Sequence, residues 1–177
     1  FPWVQPEGRT LVYGENTMDT EGGGNGNSFA LMKDAGTNGY YIYKFKASGQ
    51  KVAGYEVNKS LATDIDKAEL FAFASNRSIL LYVVGKTLHA YDYKRDYEKK
   101  YSIEMEDEIT MVKFDVFSGY GDYNDLYVAT YNSIMGGTLQ KYVLGTDQNT
   151  FELKPDEKCK WSGLVKVKDI DWKNGNQ

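Results

Sequence analysis

Short runs in which apolar and polar residues alternate fill most of this 177-residue chain. Successive side chains of a strand point to opposite faces, so such alternation predicts half-buried β-strands. Turn residues separate the runs, as at Ser48-Gly49. The segment closest to a helical period, 61–70, favours a connection with one helical turn at most. The pattern therefore predicts an all-β protein.

The predicted strands fall into three groups of four, followed by one more strand. The three units span about 10–58, 69–105 and 110–153, and the closing strand spans 164–172. The predicted strands are 10–13, 28–33, 40–46, 51–58, 69–74, 79–85, 87–93, 100–105, 110–116, 126–131, 138–144, 150–153 and 164–172. We treat 1–177 as a single all-β region.

Two short aromatic signatures recur between these units. Tyr43-Lys44-Phe45 is followed by Tyr91-Asp92-Tyr93 and Tyr142-Val143-Leu144 at intervals of about 50 residues. Phe71-Ala72-Phe73 recurs as Val112-Lys113-Phe114. Repeats of this length built from short strands are typical of radial β architectures. We therefore expect a partial β-propeller of three four-stranded antiparallel blades plus an extra strand, with a β-sandwich as the alternative.

The number of units leaves the predicted ring open. Propellers have about four to eight blades, and an open set exposes apolar blade faces that drive association. The chain also begins at Phe1-Pro2-Trp3 without a methionine. We expect the rest of the ring to be supplied by residues beyond this sequence or by another chain. Trp161 and Trp172 flank the closing strand and are expected to pack between blades.

Charge and composition exclude several classes of partner. The net charge of −4 comes from mixed acidic and basic residues, so no basic face for nucleic acid is expected. No apolar run approaches the roughly 18 residues of a transmembrane helix. Cys159 is the only cysteine, which excludes a disulfide within the chain and a cysteine-based zinc cluster.

The sequence offers no catalytic constellation. His89 is the only histidine and lies within a predicted strand, where a structural role is expected rather than that of a general base. The acidic residues at 104–108 fit a solvated turn. The glycine run at 22–26 lacks the strand-to-helix context of a phosphate loop. We therefore expect neither an enzyme nor a cofactor.

Two polar connections, 14–27 and 117–125, are expected to emerge on one side of the sheets and to form a recognition surface. Aromatic rings beside acids suit sugars, although the two tyrosines could instead cap the sheet. The candidate ligand-binding residues are Tyr120, Asp122, Tyr123, Asn124 and Asp125, with Asp19, Glu21, Asn25 and Asn27 on the same face. Oxygen atoms of either set could bind calcium, but neither set follows the calcium-loop pattern.

Several motifs between residues 60 and 173 resemble a known family. They are NRSILLYVVGKTLHAYDY at 76–93, EITMVKF at 108–114, LYVATY at 126–131, GTL at 137–139 and WSGLVKVKDIDWK at 161–173. The sequence resembles the C-terminal propeller of the PKD-like family of lipoproteins from gut Bacteroidetes. This resemblance implies an exported protein, periplasmic or at the cell surface, lipid-anchored through an upstream segment and associated with glycan uptake at the outer membrane.

Together these features predict a non-catalytic exported binding or scaffolding module, with a glycan or an envelope protein as its partner. One alternative is a propeller-type glycoside hydrolase or lyase that shares its site with blades outside this sequence. Such an enzyme would need two convergent acids near the centre of the ring. The other alternative is a structural protein–protein interaction module.

Overall fold

The computed structural model describes residues 6–17, 27–46, 48–74, 78–94, 100–115, 125–144 and 152–170. These ranges consist mainly of strands, and their one helical element is a 3₁₀ turn, Ile65–Lys67. Within them, no helix is long and apolar enough to cross a membrane. The all-β prediction is confirmed.

Within the described ranges, twelve strands form three antiparallel sheets of four, and in each sheet the strands pair in chain order. Consecutive short strands pair with their neighbours because brief turns return the chain directly alongside itself. The first sheet contains β1 (Arg9–Thr17), β2 (Asn27–Asp34), β3 (Tyr40–Lys46) and β4 (Lys51–Glu56). The second contains β5 (Leu70–Ala74), β6 (Ile79–Val84), β7 (Thr87–Asp92) and β8 (Lys100–Glu104). The third contains β9 (Glu108–Phe114), β10 (Asp125–Asn132), β11 (Gly136–Leu144) and β12 (Leu153–Gly163).

The second sheet lies between the other two and buries both of its faces. Leu80 and Tyr82 pack with Leu31 of the first sheet, whereas Leu81 packs with Leu126 of the third. A strand with neighbours on both faces needs apolar residues at every position. This explains why β6 is an uninterrupted apolar run, whereas the strands of the first and third sheets include more polar positions.

The first strands of the three sheets adjoin each other: β5 contacts both β1 and β9. Stacked four-stranded sheets with their first strands adjacent are the arrangement of neighbouring propeller blades. The described chain is therefore propeller-like, with three layers where a simple sandwich has two. We call β1, β5 and β9 the inner strands.

Strand β1 extends further than the alternation predicts. Residues 14–27 are predicted to be a loop, but Gly14 pairs with Ala30 and Glu15 pairs with Phe29, so the strand continues to Thr17. A bulge between Leu11 and Tyr13 interrupts the alternation just before this extension. This extension of β1 places Glu15 against the second sheet.

The predicted closing strand at 164–172 is wrong over its described part, because residues 164–170 have no strand pairing. The fourth strand of the third sheet is instead β12, which continues well beyond the predicted end at 153. Its polar and charged composition concealed it. An outermost strand tolerates that composition because solvent covers its free edge.

Residues 164–170, which we call the terminal segment, return from β12 to the inner strand β9. The segment passes so close to the start of β11 that a side chain at Gly137 would collide with the carbonyl oxygen of Val165. It is then fixed to β9, where the Thr110 hydroxyl donates to the carbonyl of Val167 at 2.6 Å. Lys113 Nζ donates to the carbonyl of Ile170 at 2.7 Å.

Candidate functional site

Of the predicted binding residues, only Asn27 and Asp125 lie in the described ranges. Asn27 begins β2 and is buried, and Asp125 begins β10. The two residues belong to the first and third sheets, with the second sheet between them, so they do not form one site. The other predicted residues lie outside the described chain: Asp19, Glu21, Asn25, Tyr120, Asp122, Tyr123 and Asn124.

The side chain of Asp125 lies on the face of the third sheet that points away from the second sheet. We call this surface the outward face. In the strand register, Tyr127 lies opposite Lys141, and Lys141 lies opposite Asp156, so these side chains share one side of the sheet. Residues at alternate positions of β10, such as Leu126, point to the core instead.

A lysine between two carboxylates forms the centre of the outward face. Lys141 Nζ lies 3.6 Å from Asp125 Oδ2 and 3.4 Å from Asp156 Oδ2. The N–H of Lys158, followed by the neighbouring Lys141, holds the pKa of Asp156 below its usual value. Burial by itself would lower the pKa of Lys141, but Asp125 and other neighbours raise it. Lys141 and Asp156 are therefore charged at neutral pH.

Beside this charged group lies a pair of aromatic rings. The ring centroids of Tyr127 and Trp161 are 6.4 Å apart, and their planes differ by 26°. The sequence predicts that Trp161 packs between blades. Its side chain is 52% exposed, so it does not pack between the described sheets. Two nearly parallel rings next to fixed charges form a flat amphipathic surface. The sequence gives little sign of it, because the strand that carries Trp161 is mostly polar.

A second polar cluster lies at the inner strands. Glu15 Oε2 accepts a hydrogen bond of 2.8 Å from the backbone N–H of Phe73 on β5, and the Tyr13 hydroxyl donates to the same carboxylate. Burial raises the pKa of Glu15 to about 7, although both hydrogen bonds and the charge of Lys113 oppose the rise. The signal that could have identified Glu15 is the continued alternation of Tyr13, Gly14 and Glu15 past the predicted strand end.

Lys113 also contacts Asp169, whose pKa is shifted in the direction opposite to that of Glu15. Its Nζ lies 3.1 Å from Asp169 Oδ1, and this contact holds the pKa of Asp169 below its usual value. Two carboxyl groups that interact with Lys113 therefore have pKa values shifted in opposite directions, upward for Glu15 and downward for Asp169. Unlike environments of this kind separate the roles of paired carboxyl groups in enzymes.

His89 is held by structural contacts. Its Nδ1 lies 2.6 Å from Ser102 Oγ, and its ring stacks on Tyr82 with centroids 4.8 Å apart. The side chain is buried within the second sheet, as expected for a structural histidine. In the part of the chain that the structure describes, no group of three or more His, Cys, Asp and Glu residues is placed to hold a metal ion.

Comparison with known proteins leaves the family open. No family model matches the chain, and no curated protein matches it significantly. Any functional assignment therefore depends on the geometry of the outward face and the inner strands, together with the resemblance of the motifs at 60–173.

Proposed function

We propose that the chain is a non-catalytic binding module that holds a glycan on the outward face of the third sheet. The observation that carries this proposal is the Tyr127–Trp161 ring pair beside the Asp125–Lys141–Asp156 group. The rings and charges project from paired strands, so they are held in place before a ligand arrives. A rigid platform of this kind lowers the entropic cost of binding.

The chemistry of a sugar matches both parts of the outward face. The C–H groups of a pyranose form an apolar surface that can lie on the exposed ring of Trp161. The sugar hydroxyls can donate to the carboxylates of Asp125 and Asp156, which makes charge-assisted hydrogen bonds. Lys141 supplies a donor for ring or hydroxyl oxygens.

We place the module outside the cytoplasm, lipid-anchored through an upstream segment, in the periplasm or at the cell surface. The resemblance to PKD-like family lipoproteins supports this location and a link to glycan uptake. Any further sheets would continue from the first sheet and leave the outward face open to the ligand. The partner of the module would then be a glycan presented at the outer membrane.

A glycan array followed by calorimetry on the full chain tests the proposal. Trp161→Ala should weaken binding about tenfold, since a ring contact worth about 1.4 kcal/mol corresponds to that factor. Val52→Ala is the matched control, because Val52 is 49% exposed on β4 of the first sheet. Absence of any glycan ligand, or equal binding by the Trp161 variant, would refute the proposal.

A second candidate function is glycoside hydrolysis or elimination, favoured by the two unlike carboxyl groups near Lys113. Glu15, with its raised pKa, and Asp169, with its lowered pKa, have the unlike character of the acid and base in such a mechanism. If the chain is such an enzyme, Glu15→Gln and Asp169→Asn should each abolish turnover of a glycan substrate. Glu56→Gln, on an exposed position of β4, should leave turnover unchanged.

A third candidate, the protein interaction module, is favoured by an exposed apolar group at one end of the third sheet. It consists of Ile134, Met135, Leu164 and Val165, each at least 70% exposed. Apolar residues grouped on a surface are typical of protein contacts. Capture of an envelope protein that is lost in Met135→Ser but kept in Trp161→Ala would favour this function over glycan binding.

A further inference from the structure

A cleft of about 500 Å³ lies between the second and third sheets. Its apolar lining consists of Leu70, Val83 and Ile109, and it lies at the end of the sheets opposite the predicted recognition loops. This volume falls within the range of small-molecule sites. The cleft is separate from the outward face, because it opens on the side of the third sheet that meets the second.

The described rim of the cleft carries more positive than negative charge. Three lysines and two glutamates line it: Lys67, Lys166, Lys168, Glu69 and Glu108. The whole chain, by contrast, has a net charge of −4. Asp64 beside Lys67 offsets one of these charges, so an anion would be held by direct contact with the ammonium groups.

The lysines converge because the terminal segment is fixed across the third sheet. Lys166 and Lys168 flank Val167, whose carbonyl accepts the hydrogen bond from Thr110 at 2.6 Å. Lys67 approaches from the 3₁₀ turn and is 3.7 Å from the exposed Asp64. An exposed pair of this kind is worth at most about 1 kcal/mol, so Lys67 can exchange it for a ligand.

We propose that this cleft binds a small hydroxylated organic anion. The lysines would hold one carboxylate, phosphate or sulfate group, and the apolar lining would contact the carbon skeleton. Glu69 and Glu108 would accept hydrogen bonds from the hydroxyl groups of the ligand. This site goes beyond the proposed glycan platform and does not depend on it.

The test is an NMR titration of the full chain that follows the amides of Gly85, Thr110 and Lys168. The probes are glucuronate, glucose 6-phosphate and glucose 6-sulfate, with uncharged glucose for comparison. We expect at least one anion to shift these amides, and glucose to bind at least about tenfold more weakly. The anion that binds best identifies which acidic group the cleft accepts.

The double variant Lys166→Gln/Lys168→Gln should weaken binding of that anion about fivefold or more. A matched variant, Lys46→Gln/Lys51→Gln in the first sheet, should bind as the parent does. Trp161→Ala should also retain anion binding, so a failure of the outward-face proposal is distinguishable from a failure here. No amide shifts with any anion, equal shifts with glucose, or unchanged binding by the cleft variant would each overturn the proposal.

Discussion

The carboxylate of Glu15 on β1 accepts a 2.8 Å hydrogen bond from the backbone N–H of Phe73 on β5. Phe73 lies on β5, the edge strand of the second sheet, which pairs with β6 on one side only. A free strand edge leaves N–H groups unpaired, and leaving such a group buried without a partner costs about 1–3 kcal/mol. Glu15 therefore connects the first and second sheets while satisfying the edge of β5.

This contact predicts a specific dependence of stability on pH. The pKa of Glu15 is about 7 in the folded chain and near 4.5 when exposed, so the folded state retains its proton over that interval. The free energy of unfolding should fall by up to about 3 kcal/mol as the pH rises from 4.5 to 7. Chemical denaturation at a series of pH values measures this change in the free energy of unfolding.

In Glu15→Gln that fall should disappear, since an amide does not titrate. The exposed Glu56→Gln provides the control and should keep the pH dependence of the parent. If the curves for Glu15→Gln and the parent run parallel between pH 4.5 and 7, Glu15 does not hold its proton in the folded chain. The carboxyl group would then be only a structural contact between the two sheets.

A second prediction concerns the position of the second sheet. Leu80 and Leu81 point to opposite faces of that sheet, and both are completely buried. Replacing either one by alanine should therefore lower the free energy of unfolding by about 2–5 kcal/mol. In an arrangement of only two layers, one of the two replacements would be nearly neutral, as Val52→Ala should be at its exposed position. Denaturation of the three variants compares them directly.

How far the fold follows from the sequence depends on which contacts are local. Alternation places the strands of the second sheet well, because neighbouring strands joined by short turns need no distant information. It fails at Glu15 and in the terminal segment, whose conformations are set by partners far along the chain, Phe73 and Thr110. Those partners cannot be read from local periodicity.

The candidate site was less predictable than the fold. The sequence indicates Asp125 as part of a polar loop, whereas its described neighbours on the outward face, Lys141 and Trp161, come from β11 and β12. Register alone brings these residues together, and the extent of β12 was not visible in its charged sequence. Of the other predicted residues, all but Asn27 lie outside the described ranges.

A third prediction concerns the buried hydroxyl of Tyr82, which donates a hydrogen bond of 2.8 Å to the carbonyl of Thr63. Tyr82→Phe keeps the packing of the ring but leaves that carbonyl without this donor. The expected loss is about 1–2 kcal/mol in the free energy of unfolding. Tyr131→Phe, at a partly exposed position, should cost less than half as much. Equal losses in the two variants would contradict the structural role of the Thr63 contact.

The last prediction concerns the close approach of the terminal segment to the start of β11. Gly137 faces the carbonyl of Val165 so closely that a methyl group cannot fit without displacing the segment. Gly137→Ala should therefore detach residues 164–170 from β9 and expose them to protease.

Gly163→Ala is the matched control, because a side chain there meets no atom within 4 Å. Limited proteolysis with mass spectrometry should show faster cleavage after Lys166 or Lys168 only in the Gly137 variant. Since the two lysines also line the cleft, the same variant should lose anion binding there while keeping the outward face intact. Slow cleavage in both variants would mean that the segment is held by its contacts with Thr110 and Lys113 and that the approach at Gly137 is not required.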